Sequence, residues 1–128
     1  MQLTGVAHMS LTVSDLARSK EWYAQVLGWQ PVLDGDGEGV TFSVGQLPGG
    51  ILVGLREYDA PGSEGFDPRR IGLDHLAFRA VSEAELTEWE QHFASLGVTF
   101  SQSEKTPLGH ALNFKDPDGI ALEVFVDL

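Results

Sequence analysis

Two histidines and a glutamate carry the chemistry that this sequence could perform. His8 closes Gly5-Val6-Ala7-His8 and His75 closes Gly72-Leu73-Asp74-His75, each at the head of an extended run. Glu123 closes Gly119-Ile120-Ala121-Leu122-Glu123 near the far end of the chain. Two neutral imidazoles and one carboxylate suit a divalent metal gripped from one side, with open positions on the other. Fe(II) or Mn(II) fits that donor set best, with Zn(II) and Ni(II) as alternatives. Taken singly, none of the three is distinctive, because a lone strand histidine is more often a hydrogen-bonded core or rim residue and a lone glutamate is usually solvated. Their place in an internal repeat singles them out.

His8 and His75 lie 67 residues apart, and so do Trp22 and Trp89. Leu27-Gly28 recurs as Leu96-Gly97, and the Gly50–Gly54 stretch as Gly119–Glu123, both at a spacing of 69. A period this long implies a duplicated supersecondary unit. In the first copy, Leu3 to Val13 alternates as a half-buried strand with His8 on its polar face. Ser14-Asp15 caps a helix carrying Leu16, Trp22, Tyr23, Val26 and Leu27, and Gly28 stops it. Strands follow at about 29–34, 39–44 and 50–56, with the acidic Asp34–Gly37 turn between the first two. The second copy repeats this with a strand over 73–81, a helix capped by Ser82 and ending near Gly97, and strands over 98–103, 109–115 and 120–126. Asp116-Pro117-Asp118-Gly119 is a strong turn. Trp22 and Trp89 are expected to pack against the sheets.

These elements predict an α+β fold of two tandem βαβββ modules in a single domain over 1–128. Module one covers about 3–58 and module two about 72–127. The Gly-, Pro- and charge-rich linker over 57–71 is too long for a hairpin.

Composition narrows the partners. The net charge of −11 with no basic run argues against nucleic acid or an anionic membrane. With no cysteine, disulfides, thiolate metal sites and cysteine nucleophiles are excluded. No apolar run approaches about 18 residues, and a soluble, cytoplasmic protein acting on a small molecule is expected.

Gly5-Val6-Ala7-His8-Met9-Ser10-Leu11-Thr12-Val13-Ser14-Asp15-Leu16, then Trp22-Tyr23 and Val26-Leu27-Gly28, together with Phe114 to Glu123, resemble the vicinal oxygen chelate superfamily. That group holds glyoxalase I, methylmalonyl-CoA epimerase, extradiol dioxygenases, fosfomycin-modifying enzymes and bleomycin-binding resistance proteins. The resemblance spans essentially the whole chain. It implies paired modules whose curved mixed sheets form a cleft over a metal, with His8, His75 and Glu123 at three ligand positions. It also implies a homodimer, since small two-module members often build each site between chains. Glyoxalase I and the epimerase use a fourth ligand, a glutamate or glutamine, on the last strand of module one. The repeat maps that position to Gly54, which has no side chain to coordinate a metal or abstract a proton. Glu57 has the opposite strand parity. Ring-cleaving dioxygenase or three-ligand lyase and transferase activities therefore fit better.

Two further residues are candidates for catalysis. A four-residue loop over Asp116–Gly119 would set Leu112 opposite Glu123 and His110 opposite Phe125, aiming His110 into the cleft to move a proton or bind an oxyanion. Arg79 shares a face with His75 and could bind a carboxylate or phenolate, an outward salt bridge being the alternative. Phe42, Phe114 and Phe125 are candidate lining residues. The competing reading from a different class is a metal-free, bleomycin-resistance-like protein that sequesters an aromatic or cationic drug, the net charge favouring a cation.

Overall fold

The computed structural model describes residues 1–128 and divides into two compact units, Met1–Ser63 and Glu64–Leu128. The boundary falls inside the segment read as the linker. Unit one runs β1 (Met9–Thr12), α1 (Leu16–Leu27), β2 (Gln30–Gly37), β3 (Val40–Gln46) and β4 (Leu52–Tyr58). Unit two runs β5 (Leu76–Arg79), α2 (Glu83–Leu96), β6 (Glu104–Thr106), β7 (Gly109–Lys115) and β8 (Ala121–Asp127). Each is a βαβββ module with a four-stranded mixed sheet. The orders are β1-β4-β3-β2 and β5-β8-β7-β6, in which only the edge pairs β1·β4 and β5·β8 are parallel.

The helices form where the sequence signals them. Asp15 accepts a hydrogen bond from the Arg18 amide at 3.0 Å, and Gly28 closes α1 in the left-handed conformation that glycine adopts without strain. Glu57 supplies a second cap that the sequence hides, because its Oε2 accepts from the Leu16 amide at 3.1 Å. It therefore lies on the helix side of its sheet, as its parity requires. Ser82 makes no side-chain cap; instead Glu85 reaches back to the Val81 amide at 2.9 Å.

Each helix covers one sheet face and leaves the other open. In module one Leu11, Val13, Val53 and Leu55 are buried with Tyr23 and Val26 of α1. In module two Leu112, Phe114, Leu122 and Val124 are buried with Leu86 and Phe93, and the rings of Phe93 and Phe114 lie 4.5 Å apart. Phe114 is thus core and lines no open face. Trp22 and Trp89 are only half-buried, each against an aromatic neighbour of its own helix, Tyr23 and Phe93. The tryptophan that fills a core is Trp29, 1% exposed, whose indole N–H donates to the Val53 carbonyl at 2.9 Å.

Several boundaries differ from the sequence reading, among them β6, which runs over Glu104–Thr106 rather than 98–103. β1 starts at Met9 rather than Leu3, and β5 at Leu76 rather than Leu73. Each is an edge strand, and its only partner begins at Leu52 or Ala121, so earlier residues have no ladder to join. The Asp34–Gly37 stretch belongs to β2, and the hairpin turns at Glu38-Gly39. The loop after β7 spans five residues, 116–120, because Asp116 Oδ1 accepts from both Asp118 N (2.9 Å) and Ile120 N (2.8 Å) and holds Ile120 out of the ladder.

Candidate metal centre

The extra loop residue fixes which side chains face the open side of module two. The β7·β8 register pairs Asn113 with Glu123 and Ala111 with Phe125. His75, one residue ahead of β5, has the same parity as Ala77, which pairs with Glu123. His75, Glu123, Asn113 and Phe125 therefore share the face that α2 leaves open. Asn113 was missed from sequence only because the loop was read one residue short.

The same register moves His110 out of this set. It pairs with Val126 on the helix side, and its Nε2 lies 3.2 Å from Glu83 in the first turn of α2. The expectation that His110 enters the cleft is therefore corrected: it ties helix to sheet. Arg79 does stand on the open face, but its Nε lies 2.6 Å from Asp127 Oδ2, with 77% of its side chain exposed. This is the salt-bridge alternative.

His75 and Glu123 form an electrostatic pair. The Nδ1 of His75 lies 2.7 Å from Asp74 Oδ1. A carboxylate can only accept, so Nδ1 carries a proton, and in the neutral imidazole Nε2 is then the nitrogen with the free lone pair. A carboxylate holding one imidazole nitrogen while the other is directed outward is the arrangement that orients metal-binding histidines. Burial pushes the half-buried Glu123 carboxyl above its ordinary range, the neighbouring His75 draws it down, and Glu104 raises it again. An imidazole lone pair beside a partly desolvated carboxylate fits a divalent cation, which would offset the desolvation.

Module one repeats the frame with different contents. His8 is exposed one residue ahead of β1, as His75 is ahead of β5. The Ser10·Gly54 pair stands where Ala77·Glu123 stands in module two. A Cβ on Gly54 would lie 2.8 Å from Ser10 Oγ, so the serine hydroxyl takes the space where a fourth ligand would begin. No group of three or more histidine and carboxylate side chains converges in the structure. His75 and Glu123 are brought together, while His8 holds the corresponding place in the other module.

The Glu123 carboxyl also makes a stability prediction. Where burial raises a carboxyl's folded pKa, stability is fully present below the unfolded value, here 4.5, and falls as pH rises through the folded value. Metal-free protein at neutral pH therefore carries an uncompensated cost. Glu123→Gln is expected to raise its melting temperature at pH 7. No gain is expected at about pH 3. Thermal melts at both pH values check this.

The superfamily model described as Glyoxalase/Bleomycin resistance protein/Dioxygenase matches residues 5–124. A glyoxylase/bleomycin resistance protein/dioxygenase domain from Frankia sp. EAN1pec has a similar structure, with 42% identity and a TM-score of 0.93 over 99% of this chain and 94% of that one. The fosfomycin resistance protein FosX from Mesorhizobium loti aligns at 20% identity and a TM-score of 0.71, covering 97% of this chain and 92% of its own. A mutant of Listeria monocytogenes FosX, complexed with Mn(II) and 1S,2S-dihydroxypropylphosphonic acid, aligns at 19% identity and a TM-score of 0.72, covering 97% and 90%.

Proposed function

This chain belongs to the Glyoxalase/Bleomycin resistance protein/Dioxygenase superfamily, and from that premise we propose that it is a metal-dependent enzyme whose small substrate chelates a divalent ion through two neighbouring oxygens. The observation that carries the reading is the His75–Glu123 pair, with the imidazole oriented by Asp74 at 2.7 Å. His8, in the equivalent place of module one, completes a His-His-Glu set. Mn(II) in a FosX structure supports a divalent ion, with Fe(II) equally suited to the donors.

Bound there, a divalent ion would supply Lewis-acid stabilisation of an oxyanion on the substrate. The chain's own residues do the rest. His8, His75 and Glu123 would hold the ion and leave coordination open to the substrate. Asp74 keeps the His75 proton on Nδ1. The Asn113 amide, directly across the ladder from Glu123, is placed to hydrogen-bond a substrate oxygen. Ser10 over Gly54 offers a hydroxyl where glyoxalase I and the epimerase carry a carboxylate or amide, so no strong base stands there to remove a proton beside a carbonyl. Ring cleavage or three-ligand lyase and transferase chemistry fits this set better.

The test is metal analysis of protein purified without added metal or chelator, followed by titration of stripped protein with Mn(II) and Fe(II). Near-stoichiometric metal and saturable uptake are expected, with no appreciable hemithioacetal isomerisation or acyl-CoA epimerisation by the loaded protein. Failure to take up either ion would favour metal-free sequestration of a cationic drug instead.

We also propose a homodimer in which His8 of one chain joins His75 and Glu123 of the other, giving two equivalent sites. Mixing His8→Ala with Glu123→Ala chains under subunit exchange is then expected to restore one intact ligand set per heterodimer. No recovery despite proven exchange would place each set within one chain.

A further inference from the structure

One row of residues runs straight across the open face of module one. Gly35 pairs with Phe42, Phe42 with Arg56, and Arg56 with Thr12, each on a different strand. The Arg56 guanidinium carbon lies 5.2 Å from the centroid of the Phe42 ring. The ring in turn lies over Gly35, where a Cβ would come within 2.6 Å of it. Glycine at 35 thus lets Phe42 lie across the sheet, and Phe42 gives the guanidinium a flat support. Cation–π stacking fixes the plane of an arginine without neutralising it.

The charge of Arg56 is unmatched. The chain has 19 aspartates and glutamates, and Arg69, Arg70 and Arg79 each pair with a carboxylate, in Asp67, Glu64 and Asp127. Arg56 pairs with none, although it is half-buried. By the repeat, Arg79 corresponds to Thr12 and Arg56 to Phe125, so each module places one arginine in this row but on opposite strands of the parallel pair. The arginine of module two is held by Asp127, and the residue at the place of Asp127 in module one is Tyr58.

We propose that Arg56 recognises an anionic group on the substrate, a carboxylate or a phosphonate-type oxyanion, with the Thr12 hydroxyl as its neighbouring donor. This rests on the proposed function, since the metal would hold the substrate's other end. A planar guanidinium donates two parallel hydrogen bonds to such groups. Ser10 pairs with Gly54, so Arg56 lies four residue steps from the His8 row, about 13 Å between backbone positions. The substrate therefore carries its anion at the end opposite the chelating oxygens, and Arg56 sets specificity without taking part in bond making.

The test compares catechol with 3,4-dihydroxybenzoate, which offers the same vicinal oxygens plus a carboxylate. Dissociation constants are read from tryptophan fluorescence on anaerobic Mn(II)-loaded protein. The parent is expected to bind the benzoate at least 10-fold more tightly. Arg56→Gln is expected to reduce that preference to within about twofold, and Arg56→Lys to retain part of it, with Mn(II) affinity unchanged in both. Equal binding of the two probes by the parent, or a preference that survives in Arg56→Gln, would overturn the proposal. A second arm titrates metal-free parent protein with methylphosphonate and with acetate while following the Arg56 side-chain NMR signals. A saturable shift supports the anion subsite even where Mn(II) fails to bind, and shows which oxyanion it favours. No shift with either overturns it.

Discussion

Alanine at His8, His75 or Glu123 is expected to lower divalent-metal affinity by roughly 100-fold or more in each case. Losing a partner that merely orients a ligand costs about 10- to 100-fold, which sets a lower bound for losing a direct donor. The fold should be almost indifferent. Both histidines are exposed and Glu123 is half-buried, so each variant should unfold within about 0.5 kcal/mol of the parent. Isothermal titration with Mn(II) beside a denaturant melt separates the two quantities. Parent-like binding in all three variants would place the metal elsewhere. Asp74→Ala is the graded control, because it frees Nδ1 of His75 without removing a donor.

Trp29→Ala should do the opposite, harming stability first. Trp29 follows the helix-ending Gly28 and is 1% exposed. Its ring lies against Gly45 of β3, where no side chain would fit, and its N–H reaches the Val53 carbonyl on β4. Truncation leaves a cavity and removes the indole's hydrogen bond to a carbonyl that the ladder still holds, for a cost of roughly 3–5 kcal/mol, nearly all of it from the cavity. Urea unfolding measures it. A loss below about 1 kcal/mol would mean that the pocket collapses around the missing ring.

The repeat made most of the architecture legible. The 67-residue spacing holds from β1 to β5, and the 69-residue spacing from β3 and β4 to β7 and β8. The two-residue difference is taken up in the helices, 12 residues in α1 and 14 in α2. Periodicity could not show where ladders begin, because an alternating run reads as strand whether or not a partner lies beside it. Parity across the Asp116 loop was lost for a similarly local reason: Asp-Pro-Asp-Gly marks a turn, but hydrogen bonds from Asp118 and Ile120 decide its length. One residue there exchanged His110 for Asn113. Arg56 was legible in principle, since it shares parity with Gly54. Its unmatched charge was not, because pairing depends on which carboxylates lie within reach.

The parallel edge strands also set an order of assembly. β2, β3 and β4 meet their neighbours through short connections, whereas β1 finds β4 only across some 44 residues, with Met9 beside Val53. Closing a longer loop costs more chain entropy and slows contact formation. β5 waits in the same way for β8, with Leu76 beside Leu122. Each strand is four residues long and bonded on one side only, so it is also the element most easily peeled away. His8 and His75 stand at the heads of these two strands, and in native-state hydrogen exchange their segments should open well before the hairpins that carry Arg56 and Glu123.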